Sequence, residues 1–123
     1  IVRGTTSIKI VQMMREAGAT EVHMRIAAPP IKHPDFYGID TPVQDQLLAA
    51  NSSLGEMCDF IGADSLAFLT VDGLYKAMGH KNGRDNDNPA YTDHCFTGDY
   101  PTQLQDQKND EKIQQLSLLS ERR

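Results

Sequence analysis

The sequence has no tryptophan, only two cysteines and no apolar run long enough to cross a bilayer. Each shortage excludes something. Cys58 and Cys95 make no disulfide framework of the kind that staples small secreted domains, and free thiols suit a reducing, cytoplasmic setting. Positive charge is in deficit as well: 12 Lys and Arg against 17 Asp and Glu leave a net charge of -5. The domain as a whole therefore offers no basic face to nucleic acid or to an anionic membrane, although local phosphate binding stays open. The first residues lack the basic, apolar and small-residue order of a secretory leader. His23, His33, His80 and His94 share no metal-site spacing with one another, and neither cysteine pairs with one of them as a zinc knuckle would. Surface or strand positions are expected for all four histidines.

What is present is enough for one domain with a modest core: 123 residues, 39% of them hydrophobic. Ile8, Val11, Met14 and Ala17 recur at helical spacing and Gly18 stands where a C-terminal cap belongs, which predicts a helix over 7–17. Val22, Met24 and Ile26 then alternate with polar residues in a strand over 21–28 that stops at Pro29-Pro30. IKHPDFYGID reads as a loop. Thr41-Pro42 followed by Gln44 has the form of a capping box and predicts a helix through Ala50. Asn51-Ser52-Ser53 starts another helix, which carries Leu54, Met57, Cys58 and Ile61 to a stop at Gly62. A short apolar strand over 66–69 and a helix from Thr70 to Met78 follow. Met13, Met14, Met24 and Met57 fall beside other apolar residues and are expected in the core.

After Gly79 the run HKNGRDNDNPAYTDH is almost wholly polar and turn-forming, so a mobile loop is expected. The segment from His94 to Pro101 regains aromatic character and is expected to dock back on the body. From Gln103 onward only Ile113, Leu116 and Leu119 keep helical spacing, which predicts a marginal terminal helix or a tail. The organisation expected is a body over 1–79, a loop-rich segment over 80–102 and a tail over 103–123. Alternation of helix and strand places the body in the α/β class, with a parallel sheet and flanking helices. Two strands do not complete such a sheet, so at least one more is expected upstream.

Chemistry concentrates at the start. Ile1 and Val2 read as the end of a buried strand, and Arg3-Gly4-Thr5-Thr6-Ser7 lies between that end and a helix start, with free backbone N–H groups and the positive end of the helix dipole. Gly4 allows close approach of a ligand, the three hydroxyls add donors, and Arg3 adds charge, which together describe a cradle for a phosphate monoester. The plainer reading is that Thr5, Thr6 or Ser7 caps the helix while Arg3 is a solvated surface charge. Spacing alone favours the plainer reading, because the loop lacks a full Walker or dinucleotide fingerprint.

The wider pattern changes that weighing. IVRGTTS, IVQMMREAGA, AAPP, FYGIDTP, IGADSL and CFTGDYPT, in this order, resemble the C-terminal part of the glutamine phosphoribosylpyrophosphate amidotransferase (amidophosphoribosyltransferase) family, over residues 1 to about 102. The resemblance implies the C-terminal portion of a type I phosphoribosyltransferase fold. It also implies an enzyme that joins a glutaminase to this fold and makes 5-phosphoribosylamine from phosphoribosyl pyrophosphate and glutamine-derived ammonia, the first step of de novo purine synthesis. In the family two aspartates and a serine immediately precede IVRGTTS. Those aspartates would bind the ribose hydroxyls and magnesium, while Arg3, Gly4, Thr5, Thr6 and Ser7 match the half of the signature that holds the 5'-phosphate. The chain is thus expected to be a piece of a longer enzyme, cut inside the substrate motif, with its magnesium ligands upstream and no activity alone. Homo-oligomers and inhibition by purine nucleotides are further implications. Some relatives carry a Cys-x-x-Cys pair where Thr92-Asp93-His94-Cys95 stands, as half of an iron–sulfur ligand set; threonine is no such ligand, so Cys95 is expected to be an ordinary buried thiol and the protein cluster-free. Asp40 is expected to cap the following helix, with a place beside the active site as its other reading. The rival functions are a nucleobase phosphoribosyltransferase, which would lack CFTGDYPT, and a non-catalytic regulatory protein that keeps the fold.

Overall fold

A computed structural model describes residues 1–104 of the chain. The apolar set of the tail (Ile113, Leu116, Leu119) lies outside the described residues. Helix α1 (Thr5–Glu16) leads to strand β1 (His23–Ile26). A long connection holds a 3-10 turn (Gln44–Gln46), then α2 (Leu48–Asn51) and α3 (Leu54–Ile61) precede strand β2 (Ser65–Phe68). Helices α4 (Val71–Ala77) and α5 (His94–Thr97) complete the described order.

β1 and β2 pair in parallel, with His23 opposite Ser65 and Ile26 opposite Phe68. Parallel neighbours need a crossover, and here α2 and α3 supply it. Their apolar residues fill the space against the strands: Ala49, Met57, Ile61 and Leu66 form the buried cluster, and Ile1, Ile8, Met24, Ile26, Leu48 and Phe68 pack around it. Ser53 starts α3 with a complete capping box, its side chain accepting from the Glu56 N–H while the Glu56 carboxylate accepts from the Ser53 N–H. Gly62 ends α3 at φ 76°, a left-handed cap open to glycine.

The strand alternation holds, with His23 and Arg25 exposed and Met24 and Ile26 inward. Three expectations shift. The predicted helix over 43–50 is replaced by the 3-10 turn and the four-residue α2, because the Thr41 hydroxyl accepts from the Asp35 N–H and is not a helix cap. Met13 and Met14 are exposed and are not core residues, unlike Met57. The inner face of α1 runs through Ser7, Ile8 and Val11 to Arg15, whose guanidinium donates to the Gly62 carbonyl and the Asp64 carboxylate. That track passes Met14 by. Finally, Ile1 and Val2 are not strand residues here; Ile1 packs on the core and the Val2 carbonyl accepts from the Leu48 N–H.

The polar run after Gly79 is a loop, but a fastened one. Arg84 reaches back under it and bonds Asp93 through two nitrogens, at 2.6 and 3.1 Å, and Asp99 at 2.6 Å. The buried Tyr75 hydroxyl donates to the same Asp93 carboxylate at 2.7 Å, and the rings of His80 and Tyr91 pack against Tyr75.

Candidate phosphate site and its clasped wall

The amides that open α1 have no side-chain cap. Its N-cap is Gly4, in the left-handed region at φ 84°, and neither an acidic side chain nor a hydroxyl of the first turn satisfies the leading N–H groups. The plainer reading of Thr5, Thr6 and Ser7 as caps is therefore not the arrangement found. Gly4 is buried, and a Cβ added to it would lie 2.9 Å from both Leu48 Cδ2 and Phe60 Cε1. The turn thus sits directly on α2 and α3 with no room for a side chain.

Ile1 to Ser7 line a cleft of about 520 Å3, whose remaining lining residues are Asp40 and Pro42. Arg3, Thr5 and Thr6 are exposed to it and Ser7 is buried behind. Among the described residues Arg3 makes no ion pair. Open amides, a dipole end, hydroxyls and a guanidinium converging on one cleft are chemically suited to an oxyanion. Asp40 is the only carboxylate among these lining residues. Magnesium takes near-octahedral oxygen coordination, usually with substrate phosphates, so this set does not by itself constitute a magnesium site.

The wall that carries Asp40 is fixed from behind by a residue the sequence did not single out. Asp35 is buried, and its Oδ2 accepts from the N–H groups of Tyr37 and Ile39 at 2.9 and 2.8 Å. Its own N–H donates to Thr41 Oγ1 at 2.7 Å. Both neighbours of Asp40 in the chain are therefore tied to Asp35. Asp35 in turn bonds His94 Nε2 through Oδ1 at 2.5 Å. Backbone bonds from Lys32 and His33 to the Cys95 carbonyl, Tyr100 hydroxyl to the Pro34 carbonyl, and Tyr37 with Thr102 complete a clasp between 32–41 and 94–102.

His94 thus departs from the expected surface or strand position: it is buried at 6% exposure, sandwiched near the rings of Tyr37 and Tyr100. No spacing rule links a histidine to an aspartate fifty-nine positions away. An Asp followed by a Gly-containing turn was the available signal, since a short carboxylate bonds amides two and four residues on. Donor atoms of Asp35, His94 and Cys95 lie within 4.8 Å of one another, although no zinc-knuckle spacing links them in the sequence. The Cys95 thiol is half-buried, and burial, with the Asp35 charge beside it, pushes its pKa up and so disfavours the thiolate.

Four carboxylates of the fold, Asp35, Glu56, Asp64 and Asp93, sit below their ordinary range. For Asp35 the Ile39 N–H is the main cause; for Asp64 it is the Val22 N–H, and for Glu56 the Ser53 N–H. Burial alone would raise Asp93, but hydrogen bonds from Arg84, Tyr75 and Thr97 outweigh it and hold the group down. Folded values below unfolded ones mean that the stabilisation is present above the unfolded values and disappears as pH falls through the folded ones. Unfolding free energy measured in urea is expected to be level above about pH 5 and to drop on acidification below about pH 4. Stability that rises on acidification would contradict this.

Comparison with known proteins bears on family and fold. No family model matches the chain. The chain is 57% identical over 121 residues to amidophosphoribosyltransferase of Rhizobium etli, covering 98% of this chain and 24% of that protein. It is 55% identical over 104 residues to the Bacillus subtilis enzyme of the same name, covering 85% of this chain and 21% of that one. A solved structure of glutamine phosphoribosylpyrophosphate amidotransferase from Bacillus subtilis, complexed with ADP and GMP, superposes with a TM-score of 0.74 at 55% identity, over 85% of this chain and 22% of that one. The chain spans about a quarter of the length of the relatives it matches. It belongs to the amidophosphoribosyltransferase family, of whose type I phosphoribosyltransferase fold it forms a segment.

Proposed function

We propose that this chain supplies the 5'-phosphate-binding part of an enzyme that makes 5-phosphoribosylamine from phosphoribosyl pyrophosphate and glutamine-derived ammonia. The observation that carries the reading is the uncapped start of α1 at Gly4, facing the same cleft as Arg3. The N–H groups and hydroxyls of Thr5, Thr6 and Ser7 would hold the phosphate oxygens, with Arg3 contributing charge and Gly4 allowing contact with the backbone itself. The phosphate is remote from the bond that breaks. Its binding energy serves to fix the ribose so that C1 meets ammonia on one face while pyrophosphate leaves from the other. Magnesium, whose ligands are expected outside this chain, would neutralise charge on that pyrophosphate when bound.

The Bacillus subtilis relative was solved with ADP and GMP. Purine nucleotides carry the same 5'-phosphate as the substrate, so occupancy of this cradle by a nucleotide is one route to inhibition. The protein is proposed to be cytoplasmic, homo-oligomeric and free of an iron–sulfur cluster. The donor chemistry supports the last point: near Cys95 stand a carboxylate and an imidazole already bonded to each other, and Thr92, in place of thiolates. The chain alone is expected to lack synthase activity.

Arg3→Ala in a full-length amidophosphoribosyltransferase carrying these residues is expected to raise KM for phosphoribosyl pyrophosphate about tenfold or more, as loss of a charge-assisted bond predicts. Steady-state kinetics with ammonia as the nitrogen donor isolate this half-reaction. An unchanged KM removes Arg3 and the cradle from the substrate site.

A further inference from the structure

We propose that His94 and Asp35 are positioning residues of the phosphate cleft: their buried pair fixes Asp40 and Pro42 opposite Arg3–Ser7, so that the 92–102 segment sets substrate affinity without touching substrate. The inference rests on the 5'-phosphate reading of the cleft and adds to it a means by which the cleft is held open to its proper width.

The argument is a chain of bonds. Asp40 and Pro42 are the lining residues that come from outside the first seven positions. Asp40 is exposed and makes no hydrogen bond of its own among the described residues, so its place depends on its neighbours. Those neighbours, Ile39 and Thr41, both bond Asp35, one through its N–H and the other through its hydroxyl. A four-residue closure of this kind leaves the intervening backbone little freedom. The Asp35 side chain is held in turn by His94, which is buried on α5 beside Tyr100, within the wider clasp that ties 32–37 to 95–102. α5 does not move independently either, because Asp93, the residue before His94, is the acceptor of Arg84, Tyr75 and Thr97. The wall of the cleft is therefore braced through Asp35 and His94 to the Arg84 knot. Neither His94 nor Asp35 lines the cleft, so any effect of theirs on substrate must pass through the loop.

The test uses full-length enzyme. His94→Leu keeps the bulk and removes the donor to Asp35; His94→Gln keeps a terminal N–H2 near the place of Nε2; Thr41→Val removes only the acceptor for the Asp35 N–H. In His94→Leu, KM for phosphoribosyl pyrophosphate is expected to rise about tenfold with kcat changed less than about threefold, a small displacement of one wall being felt first in binding. Thr41→Val is expected to shift KM in the same direction and His94→Gln to restore most of the wild-type value. The inference is overturned if KM is unchanged in both His94→Leu and Thr41→Val, if kcat falls while KM stays, or if His94→Gln is as impaired as His94→Leu. Should His94→Leu fail to fold, Thr41→Val, which leaves the buried pair intact, decides the matter on KM alone. Arg3→Ala run alongside separates the two levels: a raised KM there with normal KM in His94→Leu and Thr41→Val sinks the brace and spares the phosphate site, whereas a normal KM in Arg3→Ala sinks the phosphate site itself.

Discussion

Asp93→Ala is expected to destabilise the protein by about 3–5 kcal/mol, the cost typical of removing one member of a buried ion pair. The side chains of Arg84 and Asp93 are 9% and 4% exposed, so water cannot replace the lost carboxylate. The loss spreads further than one pair. Tyr75, at 1% exposure, would keep a buried hydroxyl without its acceptor, and Thr97 Oγ1 would lose the Asp93 carboxylate while keeping the Asp93 carbonyl. Asp99 would retain Arg84 at the surface, which bounds the damage from above. Urea unfolding of the variant against wild type measures the effect. The double variant Arg84→Met with Asp93→Leu is expected to recover much of the loss, because apolar groups of similar volume leave no stranded charge. A single variant within about 1 kcal/mol of wild type would show that the knot is solvated and that the loop after Gly79 is as loose as its composition suggests.

Gly4→Ala is expected to be as severe for binding as Asp93→Ala is for folding. A left-handed backbone costs an alanine about 1–2 kcal/mol, and the new methyl would meet Leu48 and Phe60 at 2.9 Å. Leu48 can turn its terminal methyl away, but the Phe60 ring is less free, so the turn itself must shift. The N–H groups of Thr5, Thr6 and Ser7 shift with it. Affinity for phosphoribosyl pyrophosphate in the full-length enzyme is expected to fall by about a hundredfold, on the scale of a 1 Å misplacement in a site. Isothermal titration with that compound reads it directly, and the far-UV spectrum should remain close to wild type. An alanine variant that binds normally would mean that the backbone of this turn does not contact the ligand.

The elements that sequence made legible are those whose signals are local. α3 announces itself through Ser53 and Glu56 at one end and Gly62 at the other, and β1 through its alternation. The loop Arg3–Ser7 was legible as a candidate, and the order of motifs across the chain told more than any one of them. Failures occurred where a distant partner overrode a local pattern. Thr41 reads as a cap until Asp35 claims its hydroxyl, and Met14 reads as core until Arg15 takes the inner track of α1 toward Gly62 and Asp64. His94 could not be placed from its neighbours, since what buries it is a carboxylate from the other side of the crossover. Arg84 gave still less warning: among Asn, Asp and Gly residues a single arginine looks like a solvated charge.

The clasp has an implication for biogenesis. Asp35 and His94 are separated by 59 positions, and Pro34 and Tyr100 by 66, so these closures join distant parts of the polypeptide. A nascent chain halted before α5 would already possess the turn at Gly4 yet lack the fastening of the opposite bank. On the proposed reading, competence for the sugar phosphate would follow only once His94 and Tyr100 have left the ribosome, and long-range closure of this sort is a slow step in folding.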